Sequence, residues 1–239
     1  DWNISLNLAH NENEVTRLSN DVFTMDKILL GDVFIRGGSS SGTHVLEEGR
    51  PIGQFYGLVC NGIDENGRYI MVDKDGDGEI SDPADYDYIG SAQPKLTYGI
   101  TNTFRYKNFD LSFFLRGTIG NDILNATRMA YAQSGFLPGT NALDDPLTYT
   151  LSETPRFSNY YLEKGSFMRL DNLTLGYKIK ALNGIRVYFT AQNLFVITKY
   201  KGLDPEVPMD SGDGLTPGVE PREFYPKART FSVGLNLNF

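Results

Sequence analysis

The sequence predicts an all-β fold, and more narrowly a transmembrane antiparallel β-barrel of which these 239 residues supply one portion. Three observations support this prediction: alternation of apolar and polar residues in several segments, connections that are either short or long, and aromatic residues where strands meet loops. No run of about 18 apolar residues occurs, so no transmembrane helix is predicted. A membrane strand needs only about 9–11 residues and leaves little trace in the overall hydropathy.

The final segment, residues 230–239, carries the clearest alternation. Its apolar positions are Phe231, Val233, Leu235, Leu237 and Phe239, and its polar positions are Ser232, Gly234, Asn236 and Asn238. In a barrel with a polar interior the apolar face contacts lipid, so this segment is predicted to be the lipid-facing assembly strand. Arginine at Leu235 is therefore expected to impair assembly, whereas arginine at Asn236 is expected to be tolerated.

Weaker alternation predicts further strands, and the total is about seven. They lie at 2–8, 96–104, 110–117, 167–179 and 185–197, with one poorly marked strand between Phe34 and Val59. A single short helix is predicted within Asp122–Gln133. The predicted turns at 105–108 and 180–184 are short, whereas the connections at 60–95, 118–165 and 198–228 are long. Short periplasmic turns and long extracellular loops are typical of outer-membrane barrels.

The strand count also predicts the position of the chain start. If Phe239 is periplasmic, about seven antiparallel strands place Asp1 on the extracellular side. Open strand edges are costly in lipid because their backbone groups have no water to bind. The first and last strands are therefore expected to pair with polypeptide outside residues 1–239, which would not be a complete folding unit.

Composition excludes several classes of function. The net charge of −8 argues against a nucleic-acid partner, which needs clustered lysine and arginine. Cys60 is the only cysteine, and His10 and His44 are the only histidines, which leaves little for a disulfide, a zinc site or a histidine-based triad. No nucleotide-binding glycine loop or nucleophile elbow occurs. The chain is therefore not predicted to be an enzyme.

Residues 73–80 (DKDGDGEI) begin like the calcium-binding loop of an EF-hand. Asp73, Asp75 and Asp77 are the expected carboxylate ligands, and Glu79 would contribute its carbonyl. Position twelve is Ala84 instead of the usual glutamate, so Asp82 or Asp85 would complete the shell. Calcium is favoured over magnesium because all the ligands are oxygens in a flexible loop. The alternative is an acidic turn that binds no metal.

A series of short motifs also resembles the SusC/RagA type of TonB-dependent transporter, in the order that this family shows them. The motifs are GRPIGQFYG (49–57), NGI (61–63), DKDGDGEI (73–80), IG (89–90) with Pro94, YG (98–99), NFDLS (108–112), GSFMRL (165–170), LTLGY (173–177), QNL (192–194), YKGLDPE (200–206) and YP (225–226). Each motif is weak alone, but their joint order across residues 1–239 is specific.

The resemblance implies that residues 1–239 are the C-terminal segment of a barrel of about 22 strands in a Bacteroidetes outer membrane. The plug domain and the earlier strands would precede this segment. Family members import an oligosaccharide or a peptide with energy from TonB, and a SusD-like surface lipoprotein covers the extracellular mouth. The gating and energy-coupling residues of the family have no counterpart in this sequence.

Candidate substrate contacts follow from this interpretation. Arg169, Gln192, Asn236 and Asn238 are expected to face the lumen, and Tyr160, Tyr161, Phe224 and Tyr225 are expected at the extracellular mouth, where aromatic rings stack on sugars and pack on peptides. Two alternatives remain: a soluble calcium-dependent β-sandwich that binds ligands, and a small self-contained outer-membrane barrel.

Overall fold

The computed structural model describes residues 1–36, 38, 42–180, 185–207, 214–222 and 225–237. The strands are β1 (Trp2–Ala9), β2 (Lys27–Leu30), β3 (His44–Glu47), β4 (Gln54–Leu58), β5 (Cys60–Ile63), β6 (Tyr69–Met71), β7 (Tyr86–Ser91), β8 (Leu96–Tyr106), β9 (Phe109–Ile119), β10 (Asp122–Leu124), β11 (Leu162–Lys164), β12 (Phe167–Ile179), β13 (Ile185–Thr198) and β14 (Thr230–Asn236). Two short helices are α1 (Ala126–Tyr131) and α2 (Pro146–Thr150). None of the described helices is long and apolar enough to span a membrane.

The largest sheet, here called the wall, has six antiparallel strands in the order β1-β8-β9-β12-β13-β14. This arrangement confirms the predicted all-β antiparallel fold. Among the described residues, β1 and β14 each keep one edge unpaired, so the wall is not closed into a barrel.

The register of the wall sorts its residues onto two chemically different faces. One row of paired residues runs Leu6, Ile100 and Leu115, and it shares a face with Val233 of β14. This outer face is apolar and open: Trp2 and Leu6 are 62% and 57% exposed, and Val233 is 76% exposed. The opposite, inner face is mostly polar. A sheet that presents a continuous apolar face to its surroundings is typical of contact with lipid or with a partner.

The two ends of the wall differ in their connections. At the short-turn end, β8 and β9 are joined by Lys107 and Asn108 alone, and Lys107 adopts a left-handed φ of 53°, as tight hairpin turns require. The predicted turn at 180–184, between β12 and β13, lies outside the described residues except for Lys180. The loop end carries the three long connections, residues 10–95, 120–166 and 199–229.

The prediction of a seventh wall strand between Phe34 and Val59 is wrong. Strands β3 and β4 do occur there, but they belong to a separate four-stranded sheet, β2-β3-β4-β7. The wall strand β1 pairs directly with β8, so residues 10–95 are one insertion between neighbours. Asp1 consequently lies at the short-turn end, where its ammonium donates to the Arg105 carbonyl at 2.9 Å, and not at the loop end.

The long connections fold into one packed body at the loop end, here called the loop body. Its core draws buried residues from the first two connections: Val33, Ile35, Phe55, Leu58, Tyr86, Ala92, Leu124, Ala126, Met129, Ala132, Leu147, Leu151, Phe157 and Tyr161. Helix α1 contributes Ala126 and Met129 to this core. The side chain of Asn125 caps the N-terminus of the helix by accepting a bond from the Arg128 amide. The main hydrophobic core of the described residues therefore lies in the loop body, at the loop end of the wall, and not against a face of the wall.

Candidate functional site

The inner face of the wall holds the predicted lumen residue Gln192. Gln192 lies opposite Asn172 of β12 and Thr230 of β14, and its side chain is exposed. Asn236 shares this face, opposite Arg186, whereas Asn238 lies outside the described residues. The predicted alternation is therefore confirmed for the described part of β14 and for β13 from Ile185 to Gln192.

Arg169 also lies on the inner face, but the structure argues against a substrate-contacting role for it. Its side chain is 1% exposed, and its guanidinium donates to the side chains of Asn193 and Asp204. The Arg169 Nε atom lies 3.5 Å from Glu206 Oε2. A buried cation with a paired carboxylate holds two parts of a fold together and offers no surface to a solute. Arg169 attaches the third long connection to the wall.

Arg116 of β9 extends the same charge network. Its guanidinium donates to both oxygens of Glu206, at 2.5 and 3.0 Å, and to Asp171 at 3.0 Å. Lys227 also donates to Glu206, at 2.5 Å. Burial raises the pKa of the Glu206 carboxyl, but the bonds from Arg116 and Lys227 outweigh it and hold that pKa below its usual range.

A bulge in β13 completes the network. The register between β12 and β13 shifts beside Leu170 and Asn172, and Asn193 takes a left-handed φ of 52°. Bulges re-aim side chains. Asn193 contacts Arg169, and its amide donates to the carbonyl of Lys227 at 2.6 Å. Because of the bulge, Asn193 does not share the outer face with Ala191, as strict alternation along β13 would require.

The predicted aromatic contacts separate into a core residue and surface residues. Tyr161 is fully buried, and its hydroxyl lies 2.5 Å from the Tyr69 hydroxyl, so it belongs to the loop-body core and not to the mouth. Burial raises the pKa of Tyr161 and raises that of Tyr69 to about 12. Tyr160 is half-buried beside both rings. Tyr225 is 85% exposed, and Phe224 lies outside the described residues.

The acidic loop brings together three of its predicted ligands. Carboxylate oxygens of Asp73, Asp75 and Asp85 lie within 4.8 Å of one another, whereas Asp77 is outside this group. Asp85 accepts bonds from the amides of Ser81 and Lys74, which hold its pKa below the usual range.

The carboxylate of Asp82, another predicted ligand, does not join the group. Asp82 instead pairs with Arg156 at 2.6 Å, so of the two candidates for closing the shell it is Asp85 that lies beside Asp73. Glu79 was predicted to contribute its carbonyl and not its carboxylate, and that contribution stays a prediction.

A cavity of about 500 Å³ lies between the inner face and the third connection. Phe114, Phe167 and Val207 make it largely apolar, and the Arg116–Glu206 pair lies at its boundary. Arg116 and Glu206 were not selected from the sequence. The only signal was the Leu-Asp-Pro-Glu motif at 203–206, which alternation alone does not connect to β9.

Comparison with known proteins agrees with this architecture. The chain is 32% identical over its whole length to "TonB-dependent receptor P3" of Formosa agariphila and 35% identical to "TonB-dependent receptor SusC" of Bacteroides thetaiotaomicron. A solved structure described as the RagAB peptide transporter superposes on 98% of the chain, with a TM-score of 0.73 and 26% identity. No family model matches.

This chain is a segment of a SusC/RagA-like TonB-dependent transporter. The segment covers 27% and 24% of the two receptors and 27% of the RagAB chain, so it spans about a quarter of each. The relatives are receptors and transporters. The two-faced wall of the segment is the architecture that such barrels require.

Proposed function

We propose that this transporter segment belongs to an outer-membrane importer that takes up an oligosaccharide or a peptide with energy from TonB. The observation that carries the proposal is the wall, whose outer face is apolar and exposed while its inner face is polar. Similarity to a SusC receptor and to the RagAB peptide transporter supports the same function. In this proposal the chain is not an enzyme.

The orientation follows from the two ends of the wall. Barrels of this class have short periplasmic turns and long extracellular loops. The short-turn end, with Lys107 and Asn108, would therefore face the periplasm, and the loop body would face outward. A SusD-like surface lipoprotein would cover the loop body, and TonB would act through polypeptide outside residues 1–239.

The substrate contacts in this proposal are Gln192 on the inner face, with Tyr160 and Tyr225 at the loop end. Gln192 offers an amide that donates and accepts hydrogen bonds, which suits both peptide groups and sugar hydroxyls. Tyr225 presents an open ring for stacking. The RagAB relative is described as a peptide transporter, which favours a peptide as the first substrate to test.

The test is uptake by cells that lack the full-length gene and carry it on a plasmid. Wild type is expected to restore growth on one substrate class, peptides or oligosaccharides. Gln192→Ala is expected to lower uptake about fivefold, since one lost hydrogen bond is worth about 1 kcal/mol. Val233→Ala, on the outer face of the neighbouring strand, is the matched control. Wild-type protein in the soluble fraction, or uptake unaffected by deletion of the gene, would contradict the proposal.

The structure disfavours both alternatives from the sequence. A soluble β-sandwich would cover the apolar face of the wall with a second sheet, yet the described residues leave Trp2, Leu6 and Val233 exposed. A small self-contained barrel would pair β1 with β14, and the described strands do not do so.

The calcium site remains a proposal, in which Asp73, Asp75 and Asp85 bind the ion and stiffen the acidic loop without taking part in transport.

A further inference from the structure

A second cavity lies on the other side of the wall, at the loop end of the outer face. Register aligns Tyr98, Gly117, Met168 and Ile197 in one row across four strands, on the face that carries the exposed Leu8. An open depression of about 460 Å³ occupies this end of the row. It is lined by Tyr98, Thr118, Ile119, Lys164, Ser166, Phe167, Ile197, Thr198 and Lys199.

Beside Tyr98 and Phe167, which both line the depression, the wall carries Gly117 and therefore no side-chain bulk. A Cβ atom on Gly117 would lie 2.0 Å from the Phe167 carbonyl and 2.7 Å from the Tyr98 hydroxyl, so no larger residue fits. The Tyr98 hydroxyl donates to that carbonyl at 3.3 Å, which fixes the ring along one side. On the other sides, Ile119 and Ile197 are 48% and 58% exposed. The floor is therefore an apolar surface open to the outside.

Two lysines line this depression, although the chain as a whole is acidic. Lys199 follows directly after β13 and is exposed, and no carboxylate among the described residues forms an ion pair with it. Lys164 is 75% exposed and shares its ammonium with Asp122 at 2.7 Å. The Ser166 hydroxyl accepts the Gly120 amide at 2.9 Å, which leaves its own proton free to donate. Two ammonium groups and a hydroxyl donor border an apolar floor.

We propose that this depression binds a phosphate-bearing lipid of the outer leaflet, with its phosphate at Lys164 and Lys199 and an acyl chain along Ile119 and Ile197. The inference rests on the proposed function, because it needs the outer face to contact lipid and the loop end to face outward. Basic groups at the membrane boundary bind anionic head groups, and an aromatic ring such as Tyr98 suits the same level.

The test uses full-length transporter in detergent, titrated with bis-phosphorylated lipid A and monitored by native mass spectrometry. The variant is Lys164→Gln with Lys199→Gln. The control is Lys107→Gln, an exposed lysine at the short-turn end. The double variant is expected to bind about 25-fold more weakly, since a lysine near an anionic surface contributes about fivefold. The double arginine variant, with both charges kept, is expected to bind like wild type.

Further arms identify the source of the phosphate and separate the two proposals. Dephosphorylated lipid A is expected to bind as weakly as the double variant does, and inorganic phosphate is expected not to compete. Equal lipid affinity in wild type and the double variant, or full competition by inorganic phosphate, would overturn the lipid site. Each variant is also checked for heat-modifiable mobility in the outer-membrane fraction. Absence of wild type from that fraction would contradict the proposed function. If wild type is in that fraction but binds lipid A no more tightly than the double variant does, only the lipid site is contradicted.

Discussion

Arg169 shows how one residue joins distant parts of this chain. It lies on β12, its carboxylate partner Asp204 comes from the third long connection, and Asn193 reaches it from the bulge in β13. A buried guanidinium without a carboxylate is an uncompensated charge, which is far less stable than the pair. The connection and the wall are therefore coupled energetically at this side chain.

Asp204→Asn is expected to destabilise the folded barrel by about 3 kcal/mol, because it removes the nearer of the two carboxylates that pair with buried Arg169. The measurement is the temperature at which full-length protein loses its heat-modifiable band. Asp144→Asn, an exposed carboxylate in another long connection, is the control and should melt like wild type. Identical melting of both variants would argue against the coupling.

The sequence predicted part of this network and missed the rest for a physical reason. Arg169 was expected on the polar side of its strand, and the register places it on the inner face of the wall, opposite Arg116. Its partners were not predictable, because Asp204 follows a long connection and alternation carries no information on which loop folds back. The left-handed φ of Asn193 could not be predicted from the sequence either, because other described asparagines of this chain have a negative φ.

At the scale of elements, β14 shows how alternation sets the two faces of a strand. Phe231, Val233 and Leu235 are exposed on the outer face, whereas Ser232 pairs with Thr190 on the inner face. A one-residue change in position therefore moves a side chain from a lipid-like to a water-like environment.

Val233→Arg is expected to reduce the yield of assembled protein in the outer membrane, because a charge on the lipid face costs about 2–4 kcal/mol near the bilayer midplane. Ser232→Arg, one residue away on the inner face, is expected to assemble normally. Yields are compared by heat-modifiable mobility of the full-length protein. Equal losses in both variants would show that the two faces of β14 do not differ as described.

The acidic loop is the second element with a testable role. Asp75→Asn is expected to lower the calcium bound by the purified full-length protein by about tenfold, because it removes one of three converging carboxylates. Asp77→Asn, whose carboxylate lies outside the group, is expected to keep the wild-type content. Elemental analysis after dialysis against micromolar calcium gives the ratio. Calcium content unaffected by Asp75→Asn would leave the loop as a metal-free acidic turn.

Strand positions were predicted well, and their assignment to sheets was not. The predicted 96–104 and 185–197 correspond to β8 and β13 almost residue for residue, since apolar and polar residues alternate along most of both segments. The predicted strand before Val59 is real but belongs to the loop body. Its sheet could not be predicted, because alternation with period two indicates a half-buried strand but not the strand with which it pairs. The helix predicted within Asp122–Gln133 is confirmed as α1, with only six residues.

At the scale of the whole molecule, the wall as formed by the described residues is a sheet with two free edges. Residues 1–239 expressed alone are expected to give no heat-modifiable species in detergent, because the backbone groups along β1 and β14 would have no partners. Co-expression with the rest of the full-length protein should restore that species. A monomeric, heat-modifiable species from residues 1–239 alone would show that the two edges can pair with each other.

The insertion of residues 10–95 between β1 and β8 also constrains the order in which the wall assembles. The β8–β9 hairpin closes through two residues, whereas pairing of Trp2 with Phe104 must first bring distant segments together. Chain entropy alone makes that closure about 3 kcal/mol less favourable than a two-residue turn. A folded insertion removes much of this cost, because contacts such as the one between His10 and the Lys95 carbonyl, 2.6 Å apart, already hold its ends side by side. The folded insertion is therefore expected to set the register of β1 against β8, and β1 is expected to join the hairpin only after the insertion has folded.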